Sequence, residues 1–193
     1  MQRTAEARWF FPGRVSAAQI AWFTQGERVR REAKRLDRYL DLAGCRTLGI
    51  KQRQGKLEVK ALVAAPRAFT LAGVAGRRDQ WVKWSLGGKA RLLGRWLAVG
   101  KARMVLPQRG CDVELASVEA FGRRYVSLGF EAVSPLALER TLARFFAARG
   151  GMSGARMAAR YSLSYPAWLA SVAPASARAG RSPSRSRRGS RGW

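Results

Sequence analysis

The chain has 193 residues, of which 47% are hydrophobic, so a domain with a substantial core is expected and wholesale disorder is excluded. Lys and Arg total 37 against 12 Asp and Glu, and the resulting net charge of +25 favours an anionic partner. The sequence contains no histidine, which excludes histidine-based zinc sites and Ser-His-Asp or Cys-His catalysis.

The two cysteines bear on the cellular compartment of the protein. Cys45 and Cys111 are far apart and form no CxxC pair, so a cysteine metal cluster is excluded and a disulfide framework is unsupported. Two isolated thiols in a chain with no export signal predict a cytoplasmic protein. No stretch approaches the ~20 apolar residues that cross a bilayer, so we expect no membrane partner.

Eight strands are predicted from the alternation of polar and apolar residues. The first, 6–11, ends at Pro12-Gly13, and a short helix over 16–25 follows with Ser16 as its N-cap. The charged segment 26–34 is expected to be a loop or an extension of that helix. The other strands are predicted at 35–41, 48–53, 57–64, 81–86, 96–106, 112–121 and 125–132.

Helical patterns follow the last strand. A helix is predicted from the Ser134-Pro135 pair to Gly150, because Ser is a good N-cap and Pro fits the first helical turn. A weaker helical or irregular segment covers 157–172, with Tyr165-Pro166 breaking it. Seven or eight strands without helical crossovers predict a mainly β (α+β) fold: an antiparallel, closed or nearly closed tunnel barrel with a few flanking helices.

The domain boundary is predicted near Pro174. Residues 1–174 form the barrel domain with its C-terminal helical segment. The remainder, 175–193, is rich in Arg and Ser and has almost nothing apolar, so it is predicted to be a disordered tail that binds polyanions through its charge.

The predicted strands carry charged, not merely polar, faces. Residues i and i+2 of a strand point the same way, so Lys51 and Arg53 share a face, as do Glu58 and Lys60. One interpretation is a solvated outer surface over an apolar core. The other is a barrel interior lined by charges, which would bind a polyanion and any cation that accompanies it, since buried charges require partners.

Short motifs in a fixed order point to a known superfamily. They are Glu6-x-Arg8, Tyr39-Leu40, Gly49-Ile-Lys-x-Arg53, Leu57-Glu-Val-Lys60, Cys111-Asp-Val-Glu-Leu115 and Ser127-Leu-Gly-Phe-Glu131. On these motifs, over roughly residues 5–150, the chain resembles a divergent member of the CYTH superfamily, the triphosphate tunnel metalloenzymes. That superfamily includes class IV adenylate cyclases, thiamine triphosphatase and inorganic triphosphatases.

The resemblance implies two sets of site residues. The phosphate-binding set would be Arg8, Lys51, Arg53, Lys60, Lys83, Lys101 and Arg103. The ligands of a Mg²⁺ or Mn²⁺ ion would be Glu6, Glu114 and Glu131.

The chain also departs from the family pattern. The family's opening signature is Glu-x-Glu-x-Lys, and Arg8 and Phe10 replace its second Glu and its Lys. Gly129 replaces the first carboxylate of the late Glu-x-Glu pair, and Ala116 stands where an acidic residue is expected two positions after Glu114. The basic set is therefore better preserved than the acidic set, which favours anion binding over hydrolysis.

The sequence thus predicts binding of a phosphate-rich anion, namely a triphosphate, polyphosphate or nucleotide, in a basic barrel interior. Metal-dependent triphosphate hydrolysis is an open extension, with no catalytic residue assigned. The alternative is a non-catalytic, RNA-associated basic protein that contacts nucleic acid through its surface and tail. A third interpretation is a structural or regulatory module whose charged faces are only solvated.

Overall fold

A computed structural model of the chain describes residues 1–87 and 92–174; the predicted tail lies outside them. The described elements are β1 (Gln2–Pro12), α1 (Ala17–Thr24), β2 (Arg30–Leu40), β3 (Leu48–Arg53), β4 (Lys56–Leu62), β5 (Arg67–Leu71), β6 (Val74–Leu86), β7 (Trp96–Gln108), β8 (Cys111–Ala120), β9 (Arg123–Ala132), α2 (Pro135–Arg149) and α3 (Tyr165–Val172). In these ranges, no helix has the length and apolar character needed to cross a membrane.

The strands form a closed barrel. Neighbours pair in the order β1-β9-β8-β7-β2-β3-β4-β6, and β6 pairs back with β1 to complete an eight-stranded antiparallel barrel. The β1–β6 closure joins Gln2–Glu6 to Asp79–Lys83. The ninth strand, β5, pairs with the first half of β6 outside the ring. The predicted fold class is confirmed.

Both faces of β1 are buried, because β1 lies between the barrel interior and a layer of helices. Trp9 is fully buried on the outer face. The centroid of its ring lies 6.2 Å from that of Phe130 and 6.1 Å from that of Phe146 of α2, both in edge-to-face arrangement. Helix α2 begins where the sequence predicts: the Ser134 hydroxyl accepts from the Ala137 amide, and Pro135 lies in the first turn. The helices α1 and α2 therefore cover the outside of β1, β8 and β9.

Helix α3 closes one end of the barrel. The Trp168 ring stacks on Phe10 at 4.4 Å and meets Tyr125 at 5.1 Å, while Tyr165 stacks on Tyr39 at 5.7 Å. Phe10, Tyr39 and Tyr125 lie at strand ends on the inner face, so an apolar plug fills this end. We call it the closed end and the opposite end the open end.

Three local expectations are wrong. Segment 26–34 is not all loop or helix, because Arg30 already begins β2 and pairs with Val105 of β7. Pro166 does not break a helix but lies in the first turn of α3. Backbone N–H groups in that turn have no acceptor within the helix, so proline, which lacks an N–H, is tolerated there. Strand β5 and the first half of β6 were not predicted at all.

Replacing Gly76 by Ala is expected to lower the free energy of unfolding by about 1–3 kcal/mol. A β-carbon at position 76 would lie 2.8 Å from Cζ of Phe69 and still closer to the Trp9 ring. The Trp9 ring is fully buried and the partly buried Phe69 ring packs edge-on against it, so neither can move aside freely. Urea denaturation measures the change. Gly151→Ala is the control, since a β-carbon there meets nothing within 4 Å. Equal losses in both variants would contradict the packing argument.

Candidate functional site: the charged interior

Charged side chains fill the barrel interior between the closed end and the open end. Strand register and ion pairs bring together all ten residues that the sequence predicts for the site. Five further charged residues join them. We call the whole set the charged interior: Glu6, Arg8, Glu32, Arg35, Asp37, Lys51, Arg53, Glu58, Lys60, Asp79, Lys83, Lys101, Arg103, Glu114 and Glu131.

The most buried part of the charged interior is centred on one carboxylate. Glu114 on β8 accepts from Arg8 at 2.7 Å and from Lys101 at 2.8 Å through Oε1, and from Arg103 at 2.6 Å through Oε2. The side chains of Arg8 and Lys101 are only 7% and 6% exposed. We call these four residues the Glu114 cluster. It places three cations on a single anionic group.

The pKa values of the Glu114 cluster reflect this imbalance. Burial alone would raise the pKa of Glu114, but Lys101, Arg8 and Arg103 hold it well below its usual range. The pKa of Lys101 falls to about 8 because burial disfavours the ammonium; the nearby Glu114 opposes this fall, while Arg8 and Arg103 add to it. The carboxylate is thus fully ionised, while positive charge is in excess.

Arg8 reaches Glu114 by lying across a glycine. Gly129 of β9 is the register partner of Arg8 on one side and of Glu114 on the other. A β-carbon at position 129 would come within 3.0 Å of the guanidinium carbon and both terminal nitrogens of Arg8. The guanidinium also donates to the Ser127 hydroxyl at 3.0 Å, and its Cζ lies 5.0 Å from the centre of the Tyr165 ring. The missing side chain at Gly129 therefore makes room for Arg8.

The β2 side of the interior contains residues that sequence reasoning did not assign to the site. Arg103 donates to Glu32 at 2.5 and 2.8 Å, and Arg35 links Glu32 at 2.7 Å to Asp37 at 3.2 Å. Arg35 and Asp37 show the same i, i+2 charge pattern as the assigned pairs, which is the signal that would have found them. Glu32 lies across a register shift between Glu32 and Arg35, so strict alternation misplaces it.

The part of the charged interior away from the Glu114 cluster has more accessible cations. Glu58 pairs with both Lys51, at 2.9 Å, and Arg53 of the neighbouring strand. Lys60 pairs with Glu6, and Lys83 pairs with Glu131. These four basic side chains are 22–28% exposed, so solvent reaches them. The pKa of Lys51 falls to about 8 because of burial first and the nearby Arg53 second.

Asp79 is a further acidic residue of the interior that the sequence did not reveal. It lies opposite Glu6 on the β1–β6 ladder. Burial, and then repulsion by Glu6, raises its pKa to about 6. The Asp79 carboxyl therefore exchanges its proton close to neutral pH.

The three expected metal ligands do not assemble around one point. Glu6 and Glu131 are register partners, but Glu114 is paired with Gly129, which lies two residues before Glu131 on β9. Each carboxylate already binds at least one lysine or arginine. Within residues 1–87 and 92–174, no three His, Cys, Asp or Glu side chains are arranged to hold a metal ion. The residues present therefore do not fit the divalent ion that the resemblance implies.

Known structures with a similar fold have low sequence identity to this chain. PH1012 from Pyrococcus horikoshii OT3 is 16% identical, over 78% of this chain and 92% of its own, with a TM-score of 0.45. The putative adenylyl cyclase HpAC1 from Hippeastrum, which has a dominant triphosphatase activity, is 15% identical over 80% and 92%, with a TM-score of 0.45. The RNA triphosphatase Pct1 of S. pombe is 11% identical over 81% and 79%, with a TM-score of 0.47. No family profile and no curated protein matches the chain.

Proposed function

We propose that the chain binds a phosphate-rich anion, inorganic triphosphate or polyphosphate, in the charged interior. The observation that carries this proposal is the convergence of Arg8, Lys101 and Arg103 on the single carboxylate of Glu114. Cations that are removed from water need anionic partners. Arg103 also pairs with Glu32, but within the described residues Arg8 and Lys101 share the carboxylate of Glu114, which cannot neutralise both. A phosphate group supplies several charged oxygens, which guanidinium and ammonium groups bind with short, charge-assisted hydrogen bonds.

The shape of the barrel defines the path of the anion. Helix α3 fills the closed end with apolar rings, whereas Arg53 and Lys83 at the open end are 28% and 27% exposed. A linear anion therefore enters at the open end and reaches the Glu114 cluster with its terminal phosphate. Such a path suits a chain of phosphates better than a bulky organic anion.

Hydrolysis of the bound anion is the enzymatic form of this proposal. Asp79 favours it, because a carboxyl whose pKa is about 6 can accept and donate a proton near neutral pH. The test is a phosphate-release assay with triphosphate and nucleoside triphosphates, with and without Mg²⁺ or Mn²⁺. Release that Asp79→Asn abolishes would support an enzyme, and no release under any condition would leave a binding protein.

Arg53→Ala and Lys60→Ala are each expected to weaken triphosphate binding about ten- to a hundredfold. Each change removes a charge-assisted hydrogen bond worth about 1.5–3 kcal/mol, and the two residues lie on adjacent strands of one hairpin. Titration calorimetry measures the affinity. Glu131→Gln is expected to change it much less, since Glu131 is an acidic residue that pairs with Lys83 and lies near Lys60, and it offers no positive charge to a phosphate.

The matched control is Arg38→Ala, because Arg38 is exposed on β2 between the inward-facing Asp37 and Tyr39. It is expected to leave the affinity unchanged. Unchanged affinity in both Arg53→Ala and Lys60→Ala would refute binding in the interior and would return attention to the RNA-associated alternative. The Ser/Arg tail on which that alternative depends lies outside the described residues.

A further inference from the structure

Both oxygens of Glu114 are already occupied by cationic side chains. Oε1 lies 2.7 Å from Arg8 Nη1 and 2.8 Å from Lys101 Nζ, and Oε2 lies 2.6 Å from Arg103 Nη1. A divalent ion needs carboxylate oxygens with free lone pairs at short distance. At Glu114 such an ion would have to displace these cations, and its two positive charges would join a site where cations already outnumber the carboxylate.

The geometry around Gly129 accounts for this occupancy. Positions 8, 129 and 114 are cross-strand neighbours on β1, β9 and β8, so their side chains would meet on one inner face. Here only position 114 carries a carboxylate. Position 129 has no side chain, and the guanidinium of Arg8 fills the space above it.

We propose that the charged interior binds its anion without a divalent metal ion, because the Arg8 guanidinium over Gly129 supplies the positive charge beside Glu114. This inference rests on the proposed function and specifies how the site is neutralised. A guanidinium keeps its charge at every physiological pH and offers donors on several edges. While part of it contacts Glu114 and Ser127, the remaining N–H groups can donate to phosphate oxygens.

The decisive measurement uses the unmodified protein in two experiments. Mn²⁺ alone is titrated and its unbound fraction is followed by electron paramagnetic resonance; we expect no site with a Kd below about 0.1 mM. Triphosphate binding is then measured by calorimetry in EDTA, and we expect the affinity to be retained. A tight Mn²⁺ site, or binding that appears only when Mg²⁺ is added, would overturn the inference. Binding in neither EDTA nor Mg²⁺ would instead refute the proposed function.

A double variant tests the assignment to Arg8 and Gly129. Arg8→Glu combined with Gly129→Glu places two carboxylates beside Glu114 and removes the competing guanidinium. We expect this variant to bind one Mn²⁺ per chain at least about tenfold more tightly than the unmodified protein. A folded double variant, as judged by circular dichroism, without improved Mn²⁺ binding would contradict the role of Arg8. If the variant does not fold, the two experiments on the unmodified protein decide the question alone.

Discussion

Replacing Glu114 by Gln is expected to lower the free energy of unfolding by about 3–5 kcal/mol, which is the usual effect of removing one partner from a buried ion pair. The substitution keeps the size of the side chain but leaves Arg8 and Lys101 buried without a carboxylate, while Arg103 retains Glu32. Urea denaturation at pH 7 measures the loss.

The control for this prediction is Glu119→Gln on the same strand. Glu119 is 46% exposed, and its ion pairs with Lys34 and Arg124 are 3.9 and 4.0 Å long, so its loss is expected to cost less than about 1 kcal/mol. Triphosphate should stabilise Glu114→Gln more than the unmodified protein, because an anion then replaces the missing carboxylate. A small loss of unfolding free energy in both variants would show that Arg8 and Lys101 do not depend on Glu114 as their counterion.

Local alternation predicts the barrel strands well, but it carries no information about closure. The pattern around Lys51 and Lys60 gives the β3–β4 hairpin, since the side-chain period of a strand is visible in the sequence. The pairing of Gln2–Glu6 with Asp79–Lys83 joins distant segments and leaves no local trace. The β5–β6 hairpin was missed because its turn is Ala72-Gly73, both with positive φ, and Ala is rarely found in that conformation.

The sequence likewise predicts part of the site, and only the tertiary structure reveals the rest. The side chains that obey strict alternation, such as Arg53 and Arg103, were assigned from the sequence and do face the interior. Glu32 was missed because segment 26–34 was predicted to be a loop or a helix extension, and the register shift between Glu32 and Arg35 interrupts the alternation that would have joined it to β2. The contact between Arg8 and Gly129 could not be predicted either. Which side chain occupies the space beside a glycine depends on the pairing of the neighbouring strands, and the local sequence does not contain it.

The apolar closed end contributes to the electrostatics of the site. The Tyr165 ring lies 5.0 Å from Arg8 Cζ and 4.9 Å from Lys101 Nζ, so its face contacts both buried cations. Because the ring belongs to α3, the helix that closes the barrel also forms the floor of the Glu114 cluster. The cluster is consequently shielded from water on this side, which strengthens its interaction with a bound anion.

Titration of Lys51 is expected to weaken triphosphate binding roughly thirtyfold between pH 8 and pH 10. The groups that face Lys51 are Arg53 on its own strand, Glu58 on β4 and Asp37 on β2; burial and Arg53 together lower its pKa to about 8. A bound anion offsets both effects and returns the pKa to at least its ordinary value near 10.4. Binding therefore takes up a proton in this window, so the affinity falls as the pH rises.

Lys51→Arg separates this effect from every other titration in the system. Arginine keeps the positive charge opposite Glu58 but does not lose its proton below pH 12. The titration of the ligand itself, and that of Lys101 with its pKa of about 8, are common to both proteins. Calorimetry at pH 7, 8, 9 and 10 should give a fall in affinity that is about thirtyfold smaller in the variant. Parallel pH profiles would mean that the anion does not approach Lys51, and that it contacts the interior only at the Glu114 cluster.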